Sequence, residues 1–441
     1  MRRSIARKAA LFGSTALLLI GPTVAVAKAE PVTEPGVSDQ AAHLPVELTD
    51  ALQRDLQLSP DQYLERSELA QKLAEFAGIA RVQFPDAFAG GWLDDRGRPV
   101  VGLAGPNTAA ARAAATAAGF GVKDVAQTEA GLNSQLAAFQ DWLRGQPVDV
   151  AKLVHGAAVD LIDNTLTIRV QQAAASVPLP SFLDPLRPRV LLTPPTVGAE
   201  VLPKPAADIA DIAPGHTLQG GDAYAALAGN SSVRCSLGFN GTDGAGRIVN
   251  ISAGHCDPNL PAAGTANASP VHVLAPMDTL GPKIGTFEKT VLDNHDYSLI
   301  GIDAPARPRF ENNLVRVPGQ APVAIDGVAQ PVVGAPVCKS GARTGFSCGT
   351  VNSVGQSVQV GDRTLNDAFS TTICALPGDS GGAIITGTKA LGISSASSVA
   401  DQPICAIPEI LGAITGDTPI LFATTLNVVL AENPGLKVRT S

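Results

Sequence analysis

Charge is what this chain has little of: only 16% of its 441 residues are Asp, Glu, Lys or Arg, and the formal net charge is −8. No basic stripe gathers anywhere, which argues against nucleic acid or an anionic membrane as partner. Aromatic residues are scarce, at 4%. Cysteine is missing before residue 235, and no Cys-x-x-Cys or compact Cys/His cluster occurs, so zinc sites of the usual spacing are excluded. We expect no metal and no cofactor. Histidine is absent after His295, and that absence narrows the function most.

The chain is organised around Gly378-Asp379-Ser380-Gly381-Gly382. Ser380 is a candidate nucleophile, flanked by glycines that adopt backbone shapes other residues resist. A serine hydroxyl is a weak nucleophile at neutral pH and needs a base, plus donors for the oxyanion that forms. A tight turn of bare backbone supplies such donors, the N–H groups of Gly378 and Ser380. The same five residues fit Gly-x-Ser-x-Gly, the elbow of α/β-hydrolases, in which the catalytic histidine follows the serine. No histidine follows Ser380, so the base lies upstream.

His255, in Ser252-Ala253-Gly254-His255-Cys256 after the apolar run Ile248 to Ile251, is the best base. Asp296 opens the strand-like Asp296-Tyr297-Ser298-Leu299-Ile300 and would fix the imidazole tautomer. His43, His155, His216, His272 and His295 fall in other settings, and solvated surface is expected for them. Neighbouring strand residues face opposite sides, so His295 should point away from the partner of Asp296.

A chain of this length exceeds one ordinary core, so at least two folded units are expected. Residues 1–29 read as an export signal: Met1 to Lys8 is basic, Ala9 to Ala27 carries no charge, and cleavage is expected after Ala27 or Ala29. Cys235, Cys256, Cys338, Cys348, Cys374 and Cys405 form an even set. In an exported chain that reads as three disulfides, with fifteen pairings open.

Pro31 to Pro45 reads as a linker. Leu48, Leu52 and Leu56 mark a helix from Glu47 to Leu58, and Ser59-Pro60 caps a second carrying Leu69, Leu73 and Phe76. Trp92 to Leu103 suggests a hairpin; Leu132, Leu136, Phe139 and Leu143 a helix; and Asp163-Asn164 a second hairpin ending in Leu166, Ile168 and Val170. Residues 30–177 are thus an α+β unit. Pro178 to Pro214 favours an extended connection, 178–217 in all, and residues 218–441 read as all-β with a closing helix from Thr424 to Glu432.

Taken together, Arg234-Cys235-Ser236-Leu237-Gly238-Phe239-Asn240, Ala253-Gly254-His255-Cys256, Val337-Cys338-Lys339-Ser340-Gly341 with Gly345 and Cys348-Gly349-Thr350, and Pro377-Gly378-Asp379-Ser380-Gly381-Gly382 resemble bacterial chymotrypsin-fold serine proteases of the streptogrisin and α-lytic protease type. The resemblance covers essentially all of 218–441. More weakly, Phe88 to Leu93 followed by Pro99 to Gly102 is similar to that family's pro-regions.

The resemblance implies two six-stranded antiparallel barrels with a Ser380–His255–Asp296 triad between them. It also implies disulfides Cys235–Cys256, Cys338–Cys348 and Cys374–Cys405, and a mature N-terminus near Thr217 to Ala223. The pro-region would serve as folding assistant and inhibitor of a secreted, bacterial, extracellular endopeptidase acting on proteins or peptides. Lys339 would be the ionic partner of Asp379. Ser395-Ala396-Ser397 stands where the family's pocket has Ser-Gly-Gly; Ser395 would bond Asp296 and Ser397 would make the pocket shallower. With no carboxylate in Thr371 to Pro377, small to medium apolar residues before the cut bond are expected. Two other readings stay open: a catalytically inactive homologue that binds a partner, and an esterase using the same triad.

Overall fold

The computed structural model describes residues 41–441, except 42–43, 172–178, 194–199, 203–215, 276–277, 361–362, 400 and 410–417. The expected signal segment, most of the Pro31–Pro45 linker, and His43 lie outside the described residues.

The N-terminal part opens with a short helix, Val46–Ala51, that passes into a π-turn, Leu52–Leu56, and stops at Gln57, whose φ is 56°. The long helix Pro60–Gln83 begins with a capping box: the Ser59 hydroxyl accepts from Gln62 N–H while the Gln62 side chain accepts from Ser59 N–H. Strands β1 (Phe88–Leu93), β2 (Pro99–Leu103) and β3 (Gly121–Asp124) form one small sheet, with β2 and β3 parallel. The helix Glu129–Arg144 then buries Leu132, Leu136 and Phe139, the stripe its 3.6-residue period announced.

The hairpin β4 (Val154–Asp160) and β5 (Thr165–Gln171) does not stand alone. Ala157 and Gly156 of β4 pair with Ser357 and Val358, so the N-terminal part extends a sheet of the C-terminal part. Gly156 is required at that crossing, because a Cβ there would meet the Ser357 carbonyl oxygen at 2.9 Å. His155 on β4 is 7% exposed, which corrects the expectation of a solvated ring: its strand is covered on both faces.

The Pro-rich stretch also departs from expectation. Leu183 is fully buried within a 3₁₀ turn, Ser181–Leu186, and β6 (Arg189–Thr193) lies parallel to β5. Further on, β7 (Glu200–Leu202) pairs with the edge strand β9. Pro180 caps the turn, Pro185 sits inside it and Pro188 precedes β6, so none takes a donor from the strand ladder.

From residue 218 the chain builds two β-layers. The first uses β8 (Ala223–Ala228), β9 (Ser231–Ser236), β10 (Phe239–Thr242), β11 (Ile248–Ser252), β12 (Pro270–Ala275), β13 (Thr279–Leu292) and β14 (Asp296–Ile302). Their order is β10-β11-β14-β13-β12-β8-β9, and β9 runs into β10 through Leu237-Gly238, closing the ring as one bent strand. Three two-residue strands follow in the connection: β15 (Leu314–Val315), β16 (Val323–Ala324) and β17 (Gly327–Val328).

The second ring uses β18 (Pro336–Gly341), β19 (Gly345–Val360), β20 (Arg363–Thr371), β21 (Ala383–Thr386), β22 (Lys389–Ser397) and β23 (Leu421–Thr425). Its order β18-β21-β22-β23-β20-β19 closes through a β18–β19 pairing, giving a six-stranded antiparallel barrel. The closing helix spans Leu426–Ala431; Thr424 and Thr425 belong to β23 instead. A last strand, β24 (Lys437–Val438), pairs with β10. The two parts expected to fold separately share cores: Ala70, Leu73 and Ala77 of the long helix pack with Val337, Ile384 and Leu391 of the second barrel.

Candidate active site

His255 sits in a 3₁₀ turn, Gly254–Cys256, at the end of β11. The Cys235–Cys256 disulfide ties that turn to β9. β11 and β14 run in register from Val249↔Gly301 to Ser252↔Ser298, which brings the start of β14 beside the turn. Gly254 is needed there, since a Cβ would meet the Val291 carbonyl oxygen at 2.0 Å.

Asp296, 2% exposed, is held from several directions. Its Oδ1 accepts from the N–H groups of Gly254 at 2.6 Å and His255 at 2.9 Å. Its Oδ2 lies 2.5 Å from His255 Nδ1 and also accepts from the Ser395 hydroxyl. The Thr424 hydroxyl donates to the Asp296 carbonyl at 2.8 Å. Burial alone would raise this carboxyl, but the His255 imidazole and these hydrogen bonds outweigh it and hold it below the usual carboxylate range.

With Nδ1 on the carboxylate, His255 turns Nε2 the other way. That nitrogen is buried and, among the described residues, has no hydrogen-bond partner. Ser380, 6% exposed, lies in the turn between β20 and β21 of the second barrel, and no hydrogen bond joins its hydroxyl to Nε2 in this structure. The backbone places it nonetheless: the Ser380 carbonyl accepts from Ser236 N–H at 2.8 Å, next to Cys235. The turn itself requires glycine at Gly378 and Gly381, whose φ values are 101° and 81°.

Lys339 Nζ lies 3.4 Å from Asp379 Oδ2, as expected. Thr344, which no sequence pattern singles out, links them: its hydroxyl accepts from Lys339 Nζ at 2.6 Å and donates to Asp379 Oδ2 at 2.7 Å. Burial pushes the Lys339 ammonium below its ordinary pKa, and Asp379 offsets part of that. Disulfides join Cys338–Cys348 and Cys374–Cys405 as well.

Ser395, Ala396 and Ser397 are all buried on β22, and Ser397 Oγ accepts from Val399 N–H at 3.2 Å. His295 lies in the bend just before β14, outside the strand, so alternation does not set its direction. It is not freely solvated, however, for its Nδ1 lies 2.7 Å from Glu432 Oε1.

The family model described as Trypsin matches residues 244–410. Streptogrisin-C of Streptomyces griseus is 29% identical over 413 residues, covering 90% of this chain and 80% of that one. Serine protease 2 of Streptomyces fradiae is 33% identical, over 41% of this chain and 95% of its own. Glutamyl endopeptidase 2 of Streptomyces griseus is 35% identical, over 39% and 83%. Among solved structures, Nocardiopsis protease (NAPase) is 28% identical with a TM-score of 0.39, covering 51% of this chain and 100% of its own.

The fold and these relatives define a serine protease of the chymotrypsin fold. More narrowly, the chain belongs to the streptogrisin-type bacterial serine proteases.

Proposed function

We propose that this chain is a secreted endopeptidase made as an inactive precursor, cleaving peptide bonds through an acyl-enzyme on Ser380. The observation that carries the reading is the buried Asp296 carboxylate on His255 Nδ1, which leaves Nε2 as the acceptor for a serine proton. His255 acts as base and then as acid, Asp296 orients it and stabilises the imidazolium, and the N–H groups of Gly378 and Ser380 receive the oxyanion. Among the described residues neither N–H has another acceptor. The mechanism calls on no metal or cofactor.

Residues 30–217 are the proposed pro-region, with residues 178–217 as the connection to a mature enzyme of 218–441. Two observations support this: the similarity to Streptogrisin-C runs through 90% of the chain, and β4 docks by main-chain pairing on β19. Export and an extracellular site follow from the signal-like N-terminus; among the described residues no helix is long and apolar enough to cross a membrane.

For substrate choice, the relative named Glutamyl endopeptidase 2 makes acid recognition the natural rival. An acidic side chain in a closed pocket needs a cation or imidazole. Ser394 to Ser398 and Thr371 to Pro377 supply only neutral side chains, which supports small to medium apolar residues instead.

Labelling with an organophosphonate serine-hydrolase probe tests the core of this reading. Wild-type protein should take up one probe on Ser380, and His255→Ala should abolish uptake. Probe uptake unchanged by His255→Ala would sink the assignment.

A further inference from the structure

The turn proposed to bind the oxyanion hangs on a residue that contributes no side chain to restrain itself. Gly378 sits at φ 101°, and glycine alone does not hold one orientation of the adjoining peptides. Whatever fixes the turn on either side of it must therefore come from neighbours. Leu376 holds one end of the Gly378–Asp379 peptide, its carbonyl accepting from Asp379 N–H at 3.0 Å. The other end, the Gly378 carbonyl, accepts from the Ser236 hydroxyl at 2.8 Å.

Ser236 belongs to the opposite barrel. It closes β9 immediately after Cys235, whose disulfide partner Cys256 follows His255. It is wholly buried, and each of its polar atoms is engaged. The N–H donates to the Ser380 carbonyl at 2.8 Å, and the hydroxyl accepts from Ala342 N–H at 2.9 Å while donating to Gly378. The carbonyl accepts from the Ser252 hydroxyl at 3.0 Å, which in turn meets the Tyr224 hydroxyl at 2.9 Å. A Cβ on Gly381 would come within 2.5 Å of that same carbonyl oxygen. The residue thus grips the turn at Gly378, Ser380 and Gly381 from the barrel that carries the base.

We propose that Ser236 is a positioning residue for the oxyanion site: its hydroxyl anchors the Gly378–Asp379 peptide through the Gly378 carbonyl, and so fixes the turn from which the Gly378 N–H, on the preceding peptide, faces the substrate's carbonyl oxygen. The inference rests on the reading of Gly378 and Ser380 as oxyanion donors. Ser236 touches no substrate. Its work is on the geometry of donors that matter only when charge develops on oxygen, so its loss should fall on the transition state and spare ground-state binding.

The test is Ser236→Ala introduced into the full-length chain and assayed on the processed enzyme, with rates expressed per titrated active site so that a low folding or processing yield does not enter. We expect kcat to fall by about 10- to 100-fold with KM within about twofold, since one lost donor costs about 10²–10³ and this one is misaligned, not removed. Affinity for a peptide trifluoromethyl ketone, whose adduct carries the oxyanion, should weaken by the same factor as kcat/KM. Ser236→Thr, which keeps a hydroxyl, should recover most of kcat. An unchanged kcat, a change confined to KM, or ketone affinity that does not follow kcat/KM would overturn the proposal. So would Ser236→Ala and Ser236→Gly both giving no titratable sites, which would assign the hydroxyl to folding. Ser380→Ala run in parallel separates the two readings: retained hydrolysis there removes the nucleophile itself, whatever Ser236 does.

Discussion

Lys339 and Asp379 form an ion pair closed off from solvent, with side chains 0% and 1% exposed and Nζ 3.4 Å from Oδ2. Asp379 also accepts from the N–H groups of Arg343 and Thr344 at 2.9 Å and of Leu376 at 3.0 Å. The carboxylate therefore gathers β18, the following turn and the Ser380 turn around one charge. Removing the cation leaves that charge buried, which typically costs about 3–5 kcal/mol. Lys339→Met should lower stability by that order and reduce activity per folded molecule. Denaturant unfolding on a Ser380→Ala background, which prevents self-digestion, reads the first; a loss below about 1 kcal/mol would mean that the N–H donors alone satisfy Asp379.

Substitutions at the three proposed catalytic residues should be severe and unequal. Ser380→Ala and His255→Ala should each remove nearly all peptidase activity, with residual catalysis of roughly 10³ over water. Asp296→Asn should lower kcat by about 10⁴ through the wrong imidazole tautomer. Single-turnover hydrolysis of a peptide ester by the purified variants checks all three.

Asp296 also ties stability to pH. Its folded pKa lies below the usual value, so the folded state binds the proton less readily than the unfolded chain. The resulting stabilisation is fully present above about pH 4, the unfolded carboxyl's range, and is lost as pH falls through the depressed value. Ser380→Ala protein should therefore lose stability below pH ~4 more steeply than the same protein carrying Asp296→Asn. Parallel acid-unfolding curves would contradict the linkage.

How much of this was legible in the sequence depended on distance along the chain. The capped helix at Ser59-Pro60 and the Leu132, Leu136 and Phe139 stripe are local patterns, and the structure has both. The Gly378–Gly382 turn was legible because its glycines answer a backbone demand. The Ser236 to Gly378 bond was not, because it joins residues 142 apart, and neither segment signals the other. The same applies to β4 on β19. Alternation announced a hairpin, but nothing in it said that the hairpin's edge would meet a strand 200 residues on. In the Pro-rich stretch, proline density suggested loose chain, while burial of Leu183 and pairing of β6 decided otherwise.

Arg169 poses a different question. It lies on β5 of the proposed pro-region, is 4% exposed, and stacks its guanidinium 5.6 Å from the ring centre of Phe422 on β23. Among the described residues its Nη1 has no hydrogen-bond partner and no carboxylate pairs with it, and burial lowers its pKa to about 10. A desolvated cation–π contact contributes about 2 kcal/mol, against a desolvation penalty of several kcal/mol for an ion without a counter-charge. Docking of this part should therefore be weaker than its apolar contacts allow. Arg169→Met on the Ser380→Ala background should stabilise the full-length chain by about 1–4 kcal/mol, whereas Arg169→Lys, which keeps the charge, should not. Lower stability of the Met variant would show that the stacking outweighs the buried charge.

Specificity turns on what the buried walls near Ser380 contain. Ser395, Ala396 and Ser397 line β22, and Ala396 packs with Val358, Ile420 and Phe422 in a small apolar cluster. The nearest buried cation along this barrel's sequence, Lys339, is committed to Asp379. Arg or Lys substrates would find no carboxylate in Thr371 to Pro377, and Glu substrates no free base. Apolar side chains need neither, and each methylene that fits adds about 1–3 kcal/mol of discrimination. A serine hydroxyl at 397 occupies space that glycine would leave open, so Ala, Val and Leu should be cut faster than Phe and Tyr. Profiling the processed enzyme on a peptide library measures this directly. Ser397→Gly should shift the ratio of Phe to Ala cleavage upward by about tenfold, the value of one well-seated methylene or two. A dominant preference for Glu, Lys or Arg in the wild type would refute the apolar pocket outright.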